Sequence, residues 1–258
     1  MLELLRYDFV QRAFLIALLI APLFGLLSTV IVSSKLAYFS DALGHSSVLG
    51  ACLGGLIFGA SNPLAILAFA IIFASLIYLF KRKTKTDADS IIGIVSSGAI
   101  SIALIIMAAS SGFANFQNIL IGDILSTSTI DIYISASLLI IGILLWCFIY
   151  NKLVLISLGL SRRFWAEFIF MVFLSIVISF AISWVGMLMI NALLIIPASA
   201  GRLISKNLKH WTLLSILFAT LSCCLGILLA LVFDFAPSPM ICLVGIAIYT
   251  VCLVFRRK

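Results

Sequence analysis

Long apolar runs separated by short polar breaks set the pattern of this chain. Ala13–Val32, Leu64–Phe80, Phe168–Ile190 and Trp211–Phe233 run almost without a polar interruption. At about 1.5 Å per residue, helices of such lengths are suited to a hydrocarbon core of ~30 Å. The pattern predicts an all-α polytopic membrane protein, a single bundle of about 8–9 transmembrane helices. The charge-free run from Phe168 to Gly201 is too long for one simple span and scarcely enough for two. A tight reversal near Ser183–Gly186 would divide it into two short spans. Pro197 lies in the second of these, where it frees a backbone carbonyl that only protein or a water-filled cavity can satisfy. Pro197 reads first as a packing kink, with ligand contact as the alternative.

Composition agrees with the pattern. The chain is 64% hydrophobic and only 10% charged, against about 25% charged in soluble domains. Its longest hydrophilic stretches are too short to fold alone. Arg6 and Arg12 precede an apolar run too long for the core of a signal peptide, so a cleaved leader is not expected.

Charge then orients the bundle. Lys81, Arg82, Lys83 and Lys85 crowd one short loop. Placing that loop in the cytoplasm puts Lys152, Arg162, Arg163, Arg202, Lys206, Lys209 and the Arg256–Lys258 terminus there too. Stretches 111–131 and 234–239 hold no Lys or Arg, as expected of the outer side. Lys35 would also lie inside, giving an outer N-terminus and about nine crossings; the basic N-terminus leaves eight open. The net charge of +7 therefore reflects topology, and no nucleic-acid partner is indicated.

Candidate chemistry is sparse. The six cysteines all lie in apolar segments, without the spacing of a disulfide framework or a thiolate metal site. Cys223 and Cys224 point to different helix faces and read as packing. There is no HExxH and no GxxxxGK[ST], so the chain has neither that zinc-hydrolase signature nor an ATP-binding P-loop of its own. His210 lies in a basic loop, away from any serine partner expected of a nucleophilic site. Asp123, in the outer stretch, reads as a solvated acid, a helix cap or a contributor to transport.

The exception is "YFSDALGHSSVLG", residues 38–50. Asp41 and His45 are four apart, so a helix stacks them on one face, Cβ atoms roughly 5–6 Å apart. Asp41 is expected about two turns into a helix that starts near Lys35. A carboxylate and a neutral imidazole form a partial site for a borderline divalent ion such as Zn²⁺ or Mn²⁺. Alternatively, Asp41 merely orients His45, or both face water at the membrane boundary. Ionisable groups inside a span cost roughly 2.5–3.5 kcal/mol each, and their retention points to function. A two-ligand set suits an ion in transit, which must be released, better than a structural metal. Gly50, Gly54, Gly55 and Gly59 follow as overlapping small-xxx-small patterns for close helix packing.

These residues, taken in order, resemble the ABC-3 permeases, the membrane subunits of bacterial zinc, manganese and iron importers. The likeness is strongest to the zinc uptake permeases. It rests on "YFSDALGHSSVLG", on "ILIGDILSTSTIDI" with Gly122 and Asp123, on "VGMLMINALLIIPASAGRL" with Gly186 and Pro197, and on "FDFAPSPMICLVG". Manganese-type members tend to carry Leu-Pro-Gly where this chain has Val48–Leu49–Gly50, which tilts the expected metal toward Zn²⁺.

The resemblance implies one permease domain over residues 1–258, in the bacterial inner membrane with a cytoplasmic C-terminus. It implies no catalysis by this chain and no permanently bound cofactor. The implied partners are a second copy of itself, two ATP-binding-cassette ATPase subunits, an extracytoplasmic metal-binding protein and membrane lipid. It also implies that Asp41 and His45 line the metal path. The family's cytoplasmic segment for ATPase docking corresponds to 151–168, shorter here by roughly two helical turns. Gly159, Arg162 and Arg163 are left as the expected coupling residues. The alternatives are a permease for Mn²⁺, Fe²⁺ or a metal chelate, and an ion-coupled secondary carrier.

Overall fold

A computed structural model describes residues 7–34, 36–58, 63–84, 87–110, 122, 127–157 and 164–255. Among them the regular elements are all α-helices: α1 (Asp8–Ser33), α2 (Ala37–Phe58), α3 (Pro63–Lys83), α4 (Ala88–Ser110), α5 (Thr129–Ser157), α6 (Phe164–Ile204), α7 (Leu208–Phe233) and α8 (Pro237–Val254). Seven helical segments are long and apolar enough to cross a membrane, and Met189–Ile204 forms a shorter apolar one. α2 is not among the seven, because Asp41, His45 and its serines dilute its apolar content.

Local chemistry sets several helix ends. Ser128 donates its backbone N–H and its hydroxyl to the Asp131 carboxylate, which satisfies a free N–H at the start of α5. The Asn207 side chain accepts the His210 N–H and caps α7. Asp234 adopts the left-handed conformation that closes α7, and Pro237 opens α8, where a proline lacks nothing by having no N–H. Within the spans, Ser28, Thr29, Ser75, Ser175 and Ser222 donate to carbonyls three or four residues back. Their hydroxyls are thus satisfied without a polar neighbour.

The bundle is built around α1 and the first half of α6, which are buried along most of their length, whereas less than a quarter of α5 and α8 is buried. α1 crosses α7 so closely that a Cβ on Gly25 would lie 2.6 Å from the Ile216 Cα. The exposed Ile140, Leu144 and Phe148 of α5 suit the lipid boundary.

Helix directions follow from named contacts. α2 and α3 form an antiparallel pair, with Phe39 against Phe73 and Gly50 against Ile66 and Phe69. The basic end of α3 meets the start of α6, through Tyr78 on Phe168 and an ion pair between Lys81 and Glu167. The second half of α6 runs antiparallel to α2, with Asp41 beside Asn191 and Gly44 beside Met187. α6 therefore leaves the basic end, reverses and returns to it. The reversal sits at Gly186 (φ 75°, ψ 160°), within the Ser183–Gly186 stretch where the sequence predicts one.

One expectation is corrected. α2 starts at Ala37, so Asp41 lies about one turn into it rather than two. The start of α2 is not at an exposed surface: Leu36, just before it, and Phe39 and Ser40 in its first turn are almost wholly buried. Asp41 meets Asn191, which is about 20 Å of helix from Ile204. The start of α2 is thus recessed into the bundle from its basic end, and the apolar run that precedes it hides this from a hydropathy reading.

Candidate functional site

α2 presents one open face in an otherwise closed surrounding. Ala42, Leu43, Ser46 and Ser47 are buried against neighbouring helices. The Asp41 and His45 side chains are 39% and 43% exposed, enough for an ion to reach both. His45 Nε2 lies 3.7 Å from Asp41 Oδ1, close but beyond a direct hydrogen bond. The back of the helix is tied to α4: Ser46 Oγ donates to Ser96 Oγ at 3.3 Å, and Ser96 Oγ reaches the Ala42 carbonyl at 3.5 Å. The open face therefore has a fixed orientation.

The opposite wall is the second half of α6. The Asn191 amide nitrogen donates to Asp41 Oδ1 at 2.5 Å, joining residues 150 positions apart. Among the described residues no donor reaches Asn191 Oδ1, which is buried. One turn earlier, Met187 fills the space left by Gly44: a Cβ there would lie 2.7 Å from Met187 Cγ. Gly44 thus sets how closely α2 and α6 approach, and with it the level at which Asp41 and Asn191 meet. Asn191 is the residue that sequence reasoning missed. Its signal was a lone amide inside the apolar "MLMINALLII", a polar group within a span.

The break in α6 directly adjoins this wall. Gly122 (φ 65°) packs on it so tightly that a Cβ would lie 2.1 Å from the Gly186 nitrogen. Ser238 Oγ, at the start of α8, donates to the Val185 carbonyl at 2.7 Å. Two glycines quoted for the family resemblance are thereby brought into backbone contact. Pro197 is buried further along; the next carbonyl, that of Ala198, accepts the Trp211 indole N–H at 2.7 Å.

The other sequence candidates are distributed differently. Gly50 lets α3 approach, since a Cβ there would meet Phe69 and Ile66 at about 3 Å. Gly54 is buried, whereas a Cβ on Gly55 would meet nothing within 4 Å among the described residues. Gly59, Asp123, Gly159, Arg162 and Arg163 lie outside the described residues. His210 lies in the first turn of α7 rather than in a loop, and its ring accepts the Lys206 N–H at 3.3 Å. The cysteines are free thiols. Among the described residues no group of three or more His, Cys, Asp or Glu side chains converges. A cation at Asp41 and His45 would need its remaining ligands from other residue types, water or another chain.

Comparison with known proteins places this geometry. The ABC 3 transport family matches residues 6–256. The chain is 27% identical to the high-affinity zinc uptake system membrane protein ZnuB of Haemophilus influenzae, over 98% of this chain and 99% of that protein. It is 24% identical to the manganese transport system membrane protein MntC of Listeria innocua, over 99% and 93% respectively. Among solved structures, PsaBC from Streptococcus pneumoniae in complex with Fab superposes with a TM-score of 0.81 at 24% identity, covering 97% of this chain and 92% of that one. That likeness speaks to the fold, and the match along nearly the whole sequence speaks to descent. The chain belongs to the ABC 3 transport family.

Proposed function

We propose that this ABC-type metal permease carries Zn²⁺ into the cytoplasm, with Asp41 and His45 as ligands along the path. The observation that carries the reading is the open face of α2, where a carboxylate and an imidazole are both reachable by an ion. Two protein ligands on one helix hold an ion without trapping it, which suits passage better than storage. The basic end of the bundle is the cytoplasmic end, which puts the C-terminus inside. Residues 1–258 act as a single permease domain, paired with a second copy. ATP hydrolysis falls to two separate ATPase subunits that dock near 151–168, with Gly159, Arg162 and Arg163 as the coupling contacts. An extracytoplasmic metal-binding protein delivers the ion, and Gly50 holds α2 close to α3; Gly54, Gly55 and Gly59 continue the small-residue pattern along the sequence.

A second reading, Mn²⁺, is favoured by the open Asp41 carboxylate, because oxygen donors suit the harder ion. The similarity to the Listeria manganese protein supports the same reading. Uptake of radioactive Zn²⁺ in cells lacking their own zinc importer, with Mn²⁺ as competitor, separates the two. Asp41→Ala and His45→Ala should each reduce uptake at least ~100-fold at normal membrane abundance, the upper range for disrupted metal sites. Unimpaired uptake in both variants would sink the site assignment, and preferential competition by Mn²⁺ would replace Zn²⁺ as cargo.

A further inference from the structure

We propose that Asn191 is the third donor of the cation site, presenting Oδ1 to an ion held by Asp41 and His45. The inference rests on the reading of Asp41 and His45 as ligands. Asn191 faces them from the other helix and touches the Asp41 oxygen that His45 also approaches. Its two ends are treated unequally: Nδ2 donates to Asp41, whereas Oδ1 is buried without a donor among the described residues. A purely structural asparagine in a membrane span is expected to satisfy both ends.

A half-turn of the amide about its last side-chain bond exchanges nitrogen and oxygen at nearly constant shape. Oδ1 then lies beside the Asp41 carboxylate oxygen. Two acceptor oxygens at such a separation repel one another unless a proton or a cation lies between them. With His45 Nε2 on the same side, the three atoms offer two oxygens and one nitrogen from α2 and α6. The register is not free to slip, because Met187 occupies the space beside Gly44 and locks the helices at this level. The amide oxygen is neutral, so it adds a ligand without adding charge. An ion is recognised more selectively yet is still released, the balance a conduction site requires.

The test is Zn²⁺ binding to the full purified transporter, alongside uptake. Asn191→Ala should raise the half-saturating Zn²⁺ concentration ~10- to 100-fold, as expected for loss of a supporting metal contact. Asn191→Asp, which can ligate but cannot donate to Asp41, should bind at least as tightly as the natural chain and turn over more slowly. If the Asp variant binds no better than the Ala variant, Asn191 acts only as a donor to Asp41 and the proposal is overturned. Unchanged affinity in Asn191→Ala overturns it as well.

Should the Asp variant fail to insert, difference infrared spectra decide on ¹³C-asparagine-labelled protein with and without Zn²⁺. A shifted amide carbonyl band that disappears in Asn191→Ser supports ligation, and its absence in the natural chain refutes it. Asp41→Ala and His45→Ala are measured beside these. If they bind Zn²⁺ normally, the underlying site reading fails. If they lose binding while Asn191→Ala keeps it, only the present inference fails.

Discussion

Of the polar contacts that join distant parts of this bundle, two are built in opposite ways. Lys81 and Glu167 form a direct ion pair at the basic end, with Glu167 buried and a tilted Tyr78–Phe168 ring contact beside it. Asp41, His45 and Asn191 meet within the bundle, with the carboxylate and imidazole open and one amide oxygen unsatisfied. A charge meets its opposite in the first, and acceptor capacity is left over in the second. The difference teaches that a membrane bundle can close its polar groups completely where they only hold helices together. Capacity left open next to an accessible carboxylate is the feature on which the proposed cation site rests.

Three substitutions test that contrast. The largest effect is expected from Gly122→Ala. The new Cβ would lie 2.1 Å from the Gly186 nitrogen in a positive-φ conformation, costing about 3 kcal/mol or more in overlap and backbone strain. Relief requires the α6 break to move, and Asn191 with it. Purified protein should unfold at markedly lower temperature and bind Zn²⁺ more weakly; normal stability together with normal affinity would separate the break from the site.

Glu167→Ala comes next. Lys81 is 34% exposed, so water recovers part of the loss, and a cost of ~1–2 kcal/mol is expected. The unfolding midpoint should fall by several degrees while Zn²⁺ affinity stays unchanged, and the exchanged pair Lys81→Glu with Glu167→Lys should recover part of the stability. A shift in affinity would contradict a purely structural role for the pair.

The smallest effect belongs to Ser46→Ala, which removes the 3.3 Å hydroxyl contact to Ser96 at ~0.5–1 kcal/mol. Because Ser96 also reaches the Ala42 carbonyl, α2 should keep its orientation. A measurable but small loss of stability, with uptake within about twofold of normal, is the expected outcome in a paired denaturation and uptake assay.

Much of the scaffold is legible in the sequence because each span is written locally. Apolar runs, basic loops and the interruption near Ser183–Gly186 all act through neighbouring residues, and the structure places helices and a break accordingly. The i, i+4 relation of Asp41 and His45 is local as well. What escapes is whatever depends on distant register. Asn191 reaches Asp41 only because α6 reverses and because Gly44 admits Met187. Lys81 reads as one of several loop cations until α3 is packed on α6 and Glu167 comes within reach. The start of α2 is hidden for a different reason: hydropathy counts apolar residues and does not register that the first turn of α2 is buried in the bundle.

The recessed start of α2 also shapes the electric field beside Asp41. Peptide dipoles aligned along a helix leave roughly half a positive charge at its N-terminus, and here that end is buried one turn from Asp41. It points toward the end of the bundle that carries Lys81 and Arg202. A cation leaving Asp41 in that direction climbs a positive potential in a medium that screens poorly. Passage toward the basic end is therefore uphill in this arrangement of helices. Moving the first turn of α2 is the most direct way to lower that barrier.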